Sequence, residues 1–181
     1  MKKIGFIVGS LREGSFTKQI ANNVKELFPA DYEVEFIEIE QLPFYNQDFD
    51  DLEGNEPASY QAFRQKIKET NGFIFFTPEY NRSVPAVLKN ALDVASRPKV
   101  ENGWDKKPAG IVSQSPGLIG GFGANHHLRQ VLSVLNMPVV QQPEVYLSQS
   151  MNLLDESGKI TNDGTIQFLQ TFVDEFLSLF K

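Results

Sequence analysis

Hydroxyl and guanidinium side chains gather in a short glycine-containing segment, residues 9–17, which we call loop one. It follows an apolar run and opens a helical pattern, and its candidate phosphate ligands are Ser10, Arg12, Ser15 and Thr17. Free amides at a helix start attract phosphate, and arginine adds a planar charged fork. The segment is neither a Walker loop nor a dinucleotide fingerprint. Loop one indicates a phosphate site, although a helix capped by Ser15 beside an exposed Arg12 explains the same residues.

A second segment, residues 77–85, places an aromatic ring beside amide groups between two prolines, and we call it loop three. Tyr80 and Asn81 offer a ring with donors and acceptors, which suits a flat heterocycle better than a metal or a sugar. The alternative is structural. In that interpretation Tyr80 covers the end of the core, and Ser83 caps the following helix.

A third segment, residues 113–123, contains four glycines before a helical pattern, and we call it loop four. Glycines allow a backbone to approach a ligand closely. They are also common in ordinary loops, so this signal is weak when taken alone.

The rest of the chain alternates short apolar runs with amphipathic stretches. The runs predict five strands, at residues 4–8, 34–39, 72–77 and 109–113 and within 139–147. The polar–apolar alternation of residues 34–39 predicts a strand near the sheet edge, whereas the continuous runs predict strands buried on both faces. Apolar residues at helical spacing between and after the runs predict five helices.

Strands that alternate with helices across short connections predict a parallel sheet covered on both faces, a three-layer α/β/α fold. Ligands of such folds bind outside the carboxyl ends of the strands. Loops one, three and four follow strands one, three and four, so we expect them at one edge of the sheet. Their coincidence carries more weight than any one loop.

Composition excludes several classes of function. The 181 residues suit one domain, 1–181, and the net charge of −6 without a basic run makes a nucleic-acid partner unexpected. No segment approaches the ~20 apolar residues of a membrane span, and no cleavage site follows the first apolar run. We therefore expect a cytoplasmic protein without membrane contact. The absence of cysteine excludes disulfides, thiolate metal sites and cysteine nucleophiles.

Three other features invite interpretation. His126 and His127 are adjacent, so they point in different directions on a helix and do not predict a metal pair. The acidic segment 41–57 lacks the ligand spacing of a calcium loop and is interpreted as solvated. Trp104 lies among charged residues, which indicates either an interface anchor or a partly exposed loop residue. We expect no metal site.

Longer motifs connect these segments. Loop one reads GSLR followed by GSF, loop three and the following helix read TPEYNRSVPAVLKNALD, and loop four reads SPG followed by GG, with LR at residues 128–129. In these motifs and over most of its length, the chain resembles the NAD(P)H-dependent FMN reductases of the flavodoxin-like group, which include quinone, chromate and azo-dye reductases.

The resemblance implies a flavodoxin-like sheet in the order 2-1-3-4-5, with FMN as cofactor and NADPH or NADH as co-substrate. The implied phosphate ligands are Ser10, Arg12, Ser15 and Thr17. Many relatives carry Asn at the position of Thr17. The residues implied around the isoalloxazine ring are Pro78, Glu79, Tyr80 and Asn81, with Ser115 and Gly117 near its other edge. Phe16 and Ser83 complete the predicted cofactor-binding set.

The resemblance also implies a homodimer or homotetramer, with residues 88–93 near the subunit interface. Phe44 and Tyr45 are candidates to line the active-site mouth of a partner subunit. The expected partner in the reaction is a small-molecule electron acceptor.

The flavin carries the redox chemistry in such proteins, so no catalytic side chain is predicted. The hypothesis is that nicotinamide passes a hydride to flavin N5, and that a quinone, nitro or azo compound, free flavin or metal oxyanion then uses the same face. Such kinetics are ping-pong. Two alternatives lack nicotinamide activity: a flavodoxin-type electron carrier, whose phosphate loop is usually rich in Thr and Gly without the Arg12 found here, and a flavin-binding redox sensor.

Overall fold

The computed structural model of the chain describes residues 1–52, 54–97 and 101–180, and its centre is a parallel sheet. The strands are β1 (Lys2–Val8), β2 (Tyr32–Phe36), β3 (Gly72–Pro78), β4 (Ala109–Gln114) and β5 (Val145–Leu147). Their order is β2-β1-β3-β4-β5, and every neighbouring pair is parallel. The predicted sheet and its order are confirmed.

In the described part of the chain, six α-helices accompany the sheet. They are α1 (Phe16–Lys25), α2 (Asp48–Asp51), α3 (Ala58–Glu69), α4 (Ala86–Ala95), α5 (Phe122–Val134) and α6 (Asp163–Ser178). One apolar core joins α1 and α6 to one face of the sheet, and a second joins α3, α4 and α5 to the other. This is the predicted three-layer arrangement. None of the described helices has the length and apolar character needed to cross a membrane.

The strand signals differ in how closely they match the structure. β3 and β4 are buried along their whole lengths, as a continuous apolar run predicts. β2 lies at the sheet edge as expected, but it ends at Phe36, three residues before the predicted end. Ile37 and Ile39 are buried in the core beyond the strand. The Ile37 amide still donates to Phe6 O at 2.9 Å, so the apolar character of this segment reflects core burial that continues past the last residue of the strand.

The acidic segment 41–57 contains a structured element that the sequence interpretation missed. Asp48–Asp51 forms the short helix α2, and Asp50 forms an ion pair with Arg64 at 2.7 Å. The Asp50 side chain is only 8% exposed, so the interpretation as a solvated loop is wrong for this residue. Glu53 lies outside the described residues.

Trp104 corrects both interpretations of its position. Its side chain is fully buried, its Nε1 donates to Leu92 O at 3.0 Å, and its ring packs edge-on against Phe73 at 4.9 Å. It is therefore neither an interface anchor nor a partly exposed loop residue. The charged neighbours misled the prediction because they flank a core side chain whose burial depends on distant residues.

Candidate functional site

Loops one, three and four meet at the carboxyl edge of the sheet. Register pairs Val8 with Phe76, and Pro78 with Gln114, so β1, β3 and β4 end side by side. The Gly9 amide continues the ladder by donating to Phe76 O at 2.8 Å. The predicted meeting of the three loops is confirmed.

Loop one leads directly into the first turn of α1. Ser15 is the N-cap, and its Oγ accepts a hydrogen bond from the Lys18 amide at 3.4 Å. Arg12 is exposed and donates from Nη2 to Gly14 O at 3.2 Å, with its guanidinium 5.3 Å from the centre of the Phe16 ring. The structural interpretation of Ser15 is thus confirmed. It is compatible with anion binding, because the helix start and an exposed cation lie together.

Lys18 adds a second positive charge that the sequence interpretation missed. A cleft of about 190 Å³ beside loop one is lined by Ser10, Arg12, Lys18 and Phe36, among other residues. The Lys18 Nζ lies 3.4 Å from the centre of the Phe36 ring, and burial lowers the pKa of this lysine. A positive charge in the first turn of a helix is repelled by the helix dipole. The same charge is stabilising when an anion is bound beside it.

Loop three contains a tight turn with two side chains in an unusual backbone conformation. Tyr80 and Ser83 exchange backbone hydrogen bonds of 2.9 Å in both directions. Between them Asn81 and Arg82 have φ values of 50° and 65°, in the left-handed region. Such strain at non-glycine residues persists where the surrounding structure holds it, and it is frequent at ligand sites. Tyr80 is 54% exposed, so it does not cover the end of the core.

Contacts with α5 hold this turn in place. Glu79 Oε2 accepts from the Ala124 amide at 3.1 Å, and Oε1 of the same carboxylate pairs with Arg82 at 3.2 Å. Ser83 Oγ forms a hydrogen bond of 2.8 Å with His127 Nδ1. Ser83 is therefore not the cap of α4, whose N-cap is Pro85. The side chains of Glu79 and Ser83 position the loop, which leaves the backbone amides of Asn81 and Arg82 for a ligand.

Loop four depends on glycine for its path. A Cβ atom at Gly120 would lie 2.5 Å from the Tyr146 carbonyl carbon, and Gly120 and Gly121 both have positive φ. Backbone hydrogen bonds tie the loop to the segment after β5, with Ser150 N donating to Ser115 O at 3.1 Å and Gln149 N donating to Gly117 O at 3.0 Å. These bonds fix the backbone around Ser115 and Gly117, just after the end of β4.

Two buried polar side chains at this edge have atoms without a protein partner. Gln114 is 6% exposed, and its Nε2 donates to Thr17 Oγ1 at 2.8 Å. Among the described residues, neither Gln114 Oε1 nor the hydroxyl of buried Ser150 has a hydrogen-bond partner. Sequence reasoning missed both residues. The available signal was a polar amide at the end of a strand that is otherwise buried.

Apolar side chains surround the same edge, and each is half exposed or more. They are Leu11, Leu118, Ile119 and Phe122. Phe122 packs on the ring of His126 at 4.3 Å, and His126 Nε2 forms a hydrogen bond of 2.9 Å with the hydroxyl of Tyr146. The two histidines thus contact different partners. Within residues 1–52, 54–97 and 101–180, no group of three or more His, Asp or Glu side chains could hold a metal ion.

A cavity of about 740 Å³ lies elsewhere, against α3 and the segment before β4. Arg64, Lys68 and Lys107 contribute to its wall, and none of the predicted cofactor-binding residues lines it. The candidate site is instead an open edge formed by three loops. We place the candidate site at that edge because polar groups converge there, although the cavity against α3 has the larger volume.

Comparisons with known proteins identify the family of the chain. The sequence model of the family described as NADPH-dependent FMN reductase matches residues 2–152. A protein of Pseudomonas putida named quinone reductase is 47% identical over 178 residues, which cover 98% of this chain and 94% of the relative. A Burkholderia protein named 2-hydroxy-1,4-benzoquinone reductase is 43% identical over 174 residues, covering 96% and 93%.

A solved structure gives the same result for the fold. A flavoenzyme NAD(P)H:(acceptor) oxidoreductase from Paracoccus denitrificans superposes with a TM-score of 0.90 at 34% identity. The superposition covers 99% of this chain and 97% of the other.

Proposed function

Because the chain belongs to the NADPH-dependent FMN reductase family, we propose that it uses NADPH or NADH to reduce a quinone, with FMN bound at the carboxyl edge of the sheet. Membership makes the chain an FMN-dependent NAD(P)H oxidoreductase. An electron carrier or a redox sensor is not favoured, since the relatives are named as reductases. The observation that carries the proposal is the meeting of an anion-binding helix start and an exposed Tyr80 turn on the adjacent strands β1 and β3.

The polar groups of the edge fit FMN. The start of α1 with the exposed Arg12 suits a phosphate, which carries negative charge against the acidic background of the chain. The unpaired polar atoms of Gln114 and Ser150 suit a ligand that carries hydroxyl groups. The exposed ring of Tyr80 and the apolar side chains around it suit a flat heterocycle.

We assign the phosphate to loop one and the ring to loops three and four. The assigned phosphate ligands are Ser10, Arg12, Ser15 and Thr17, with Phe16 beside them. The assigned ring contacts are Pro78, Glu79, Tyr80, Asn81, Ser83, Ser115 and Gly117. For Glu79 the assignment is to the backbone, because its side chain already bonds Ala124 N. Ser83 is assigned as a van der Waals contact, because its hydroxyl bonds His127 and its backbone bonds Tyr80.

FMN supplies the hydride chemistry when it is bound, and the chain supplies binding and electrostatics. Arg12 and the α1 amides would neutralise the phosphate, and backbone amides of loop three would donate hydrogen bonds to the ring edge where negative charge develops. The Tyr80–Ser83 turn is held before any ligand arrives by its own two hydrogen bonds and by α5. Donors fixed in this way need little reorganisation during the reaction.

The quinone assignment rests on the names of the relatives and on the apolar border of the site. Leu118, Ile119 and Phe122 of loop four expose apolar surface, which favours a flat, largely apolar acceptor over a small oxyanion. Nitro and azo compounds and free flavin share this character. We further propose that residues 1–181 act as one domain, in a homodimer or homotetramer in the cytoplasm.

Anaerobic titration of the FMN-loaded protein tests the function. NADPH and NADH are added in separate runs while the visible flavin absorbance is followed, and benzoquinone is then added. We expect bleaching by at least one nucleotide and recovery of colour with the quinone. Free FMN at the same concentration, without protein, is the control. If both nucleotides leave the bound flavin oxidised, the chain is a carrier or a sensor.

A further inference from the structure

Gln114 ends β4 with a buried amide that is only half satisfied. One end donates to Thr17 Oγ1 at 2.8 Å, and the other end has no partner among the described residues, although the residue is only 6% exposed. Buried polar groups in native proteins are nearly always paired, and an unpaired one is costly. A ligand group that reaches Gln114 would remove this cost.

The chemistry of the amide specifies the ligand group. A half-turn exchanges the amide oxygen and nitrogen, and the Thr17 hydroxyl can serve either as donor or as acceptor. The free end of Gln114 therefore accepts a hydrogen bond in one orientation and donates one in the other. An alcohol satisfies both orientations, whereas a phosphate oxygen satisfies only one. The geometry favours a hydroxyl group.

The position of Gln114 specifies which hydroxyl. Thr17 lies in the first turn of α1, at the end assigned to the phosphate, and Ser115 follows Gln114 at the end assigned to the ring. β4 is separated from β1 by β3, so Gln114 starts about 10 Å from the strand that leads into loop one. The Gln114 side chain, its hydrogen bond of 2.8 Å and the Thr17 side chain together bridge this interval. The part of FMN that joins the phosphate to the ring is the ribityl chain, which carries hydroxyl groups.

We propose that Gln114 binds a ribityl hydroxyl of FMN and orients the hydroxyl of Thr17 toward the same part of the cofactor. The inference rests on the proposed function. It adds a binding residue from β4 to a site otherwise built from loops, and it gives the Thr17 hydroxyl a buried partner.

Flavin analogues test the proposal directly. Fluorescence titration gives dissociation constants of the wild type and of Gln114→Met for FMN, riboflavin and lumiflavin, which lacks the ribityl chain. Methionine keeps the volume and removes both polar ends. Loss of one hydrogen bond corresponds to about threefold to tenfold weaker binding. We expect this loss, by the same factor, for FMN and riboflavin and no loss for lumiflavin.

Matched variants separate the ribityl contact from other effects. Arg12→Ala should weaken FMN but leave riboflavin unchanged, because riboflavin lacks the phosphate. In a Thr17→Val background, Gln114→Met should cost less than in the wild type, since the two side chains share a hydrogen bond. Gln141→Met changes an exposed glutamine in the connection between α5 and β5, and should bind all three flavins normally.

Each outcome decides the proposal. Equal loss for lumiflavin and riboflavin, or unchanged binding of every flavin by Gln114→Met, overturns the ribityl contact while leaving the FMN site intact. If the wild type itself binds no flavin, the proposed function fails and the contact fails with it. Should Gln114→Met not fold, as judged by its thermal unfolding, Gln114→Asn withdraws the amide by one methylene and should show the same pattern.

Discussion

Arg12 is the exposed charged side chain of loop one, and its contribution to binding can be measured alone. Its only side-chain hydrogen bond among the described residues is to Gly14 O, so removal should leave the fold intact. We expect replacement by alanine to remove the proposed charge-assisted contact to phosphate, worth about 1.5–3 kcal/mol, and to raise the FMN dissociation constant roughly tenfold to hundredfold. Fluorescence titration measures this change.

Lys68→Ala is the matched control for Arg12→Ala, because it removes an exposed positive charge near the end of α3. Its FMN affinity should stay within about twofold of the wild type, since exposed charges beyond a Debye length of about 10 Å are screened. Equal losses in the two variants would mean that net charge, rather than a contact with Arg12, controls affinity. Unchanged affinity in Arg12→Ala would remove this residue from the phosphate site.

The types of residue in the candidate site stay a prediction from sequence, whereas the hydrogen-bond partners of these residues could not be predicted at all. Ser10, Arg12 and Tyr80 are recognisable because a phosphate and a flat ring need such groups. The bonds of Ser83 to His127 and of Gln114 to Thr17 join residues 44 and 97 positions apart. Local pattern carries no information about contacts at that separation. The loops could therefore be predicted from the sequence, but the hydrogen bonds that hold them in place could not.

At the scale of elements, long apolar strands were predictable and short polar elements were not. β3 is buried at every residue, so its sequence signal is continuous. The four-residue helix α2 has no apolar periodicity, and its Asp50 is fixed by a charge on α3 instead. A local pattern of acidic residues cannot distinguish a solvated loop from one held by a distant arginine.

Lys107 connects the start of β4 to the end of α3. Its Nζ donates to the carbonyl oxygens of Ile67 and Lys68, and burial lowers its pKa to about 8. In the unfolded chain a lysine titrates near 10.4, so between these values the unfolded state holds more protons than the folded state. The free energy of unfolding should therefore rise with pH across this window, relative to a chain without the buried amine.

Urea unfolding of the wild type and of Lys107→Met at pH 7 and pH 9.5 measures this effect. The free energy of unfolding of the wild type minus that of the variant should be larger at pH 9.5 than at pH 7, because folded wild type loses the buried positive charge of Lys107 as the pH rises. Lys106→Met, at the exposed neighbouring residue, should show no such change. A difference that is independent of pH would show that Lys107 keeps its ordinary pKa.

At the scale of the whole molecule, partly buried hydrogen bonds fix the backbone on both sides of one exposed aromatic residue, Phe44. Asn90 of α4 is buried, and its Oδ1 accepts from Tyr45 N at 2.8 Å while its Nδ2 donates to Pro43 O at 2.9 Å. Phe44 lies between these two residues and is 77% exposed. Aromatic side chains contribute strongly to interface energetics, so an exposed phenylalanine on a fixed backbone suits an interface. This supports the proposed homodimer.

Phe44→Asp should therefore dissociate the homodimer. Burial of a phenylalanine contributes about 1.5–3 kcal/mol, and a two-fold interface contains the residue twice, so the dissociation constant should rise at least about hundredfold. Sedimentation velocity at a fixed protein concentration measures the change in mass. Val134→Asp, at an 82% exposed apolar residue at the far end of α5, is the matched control and should sediment as the wild type does. If Phe44→Asp keeps the mass of the wild type, Phe44 lies outside the interface. A monomeric wild type would instead refute the homodimer, and the flavin site would then be complete within one chain.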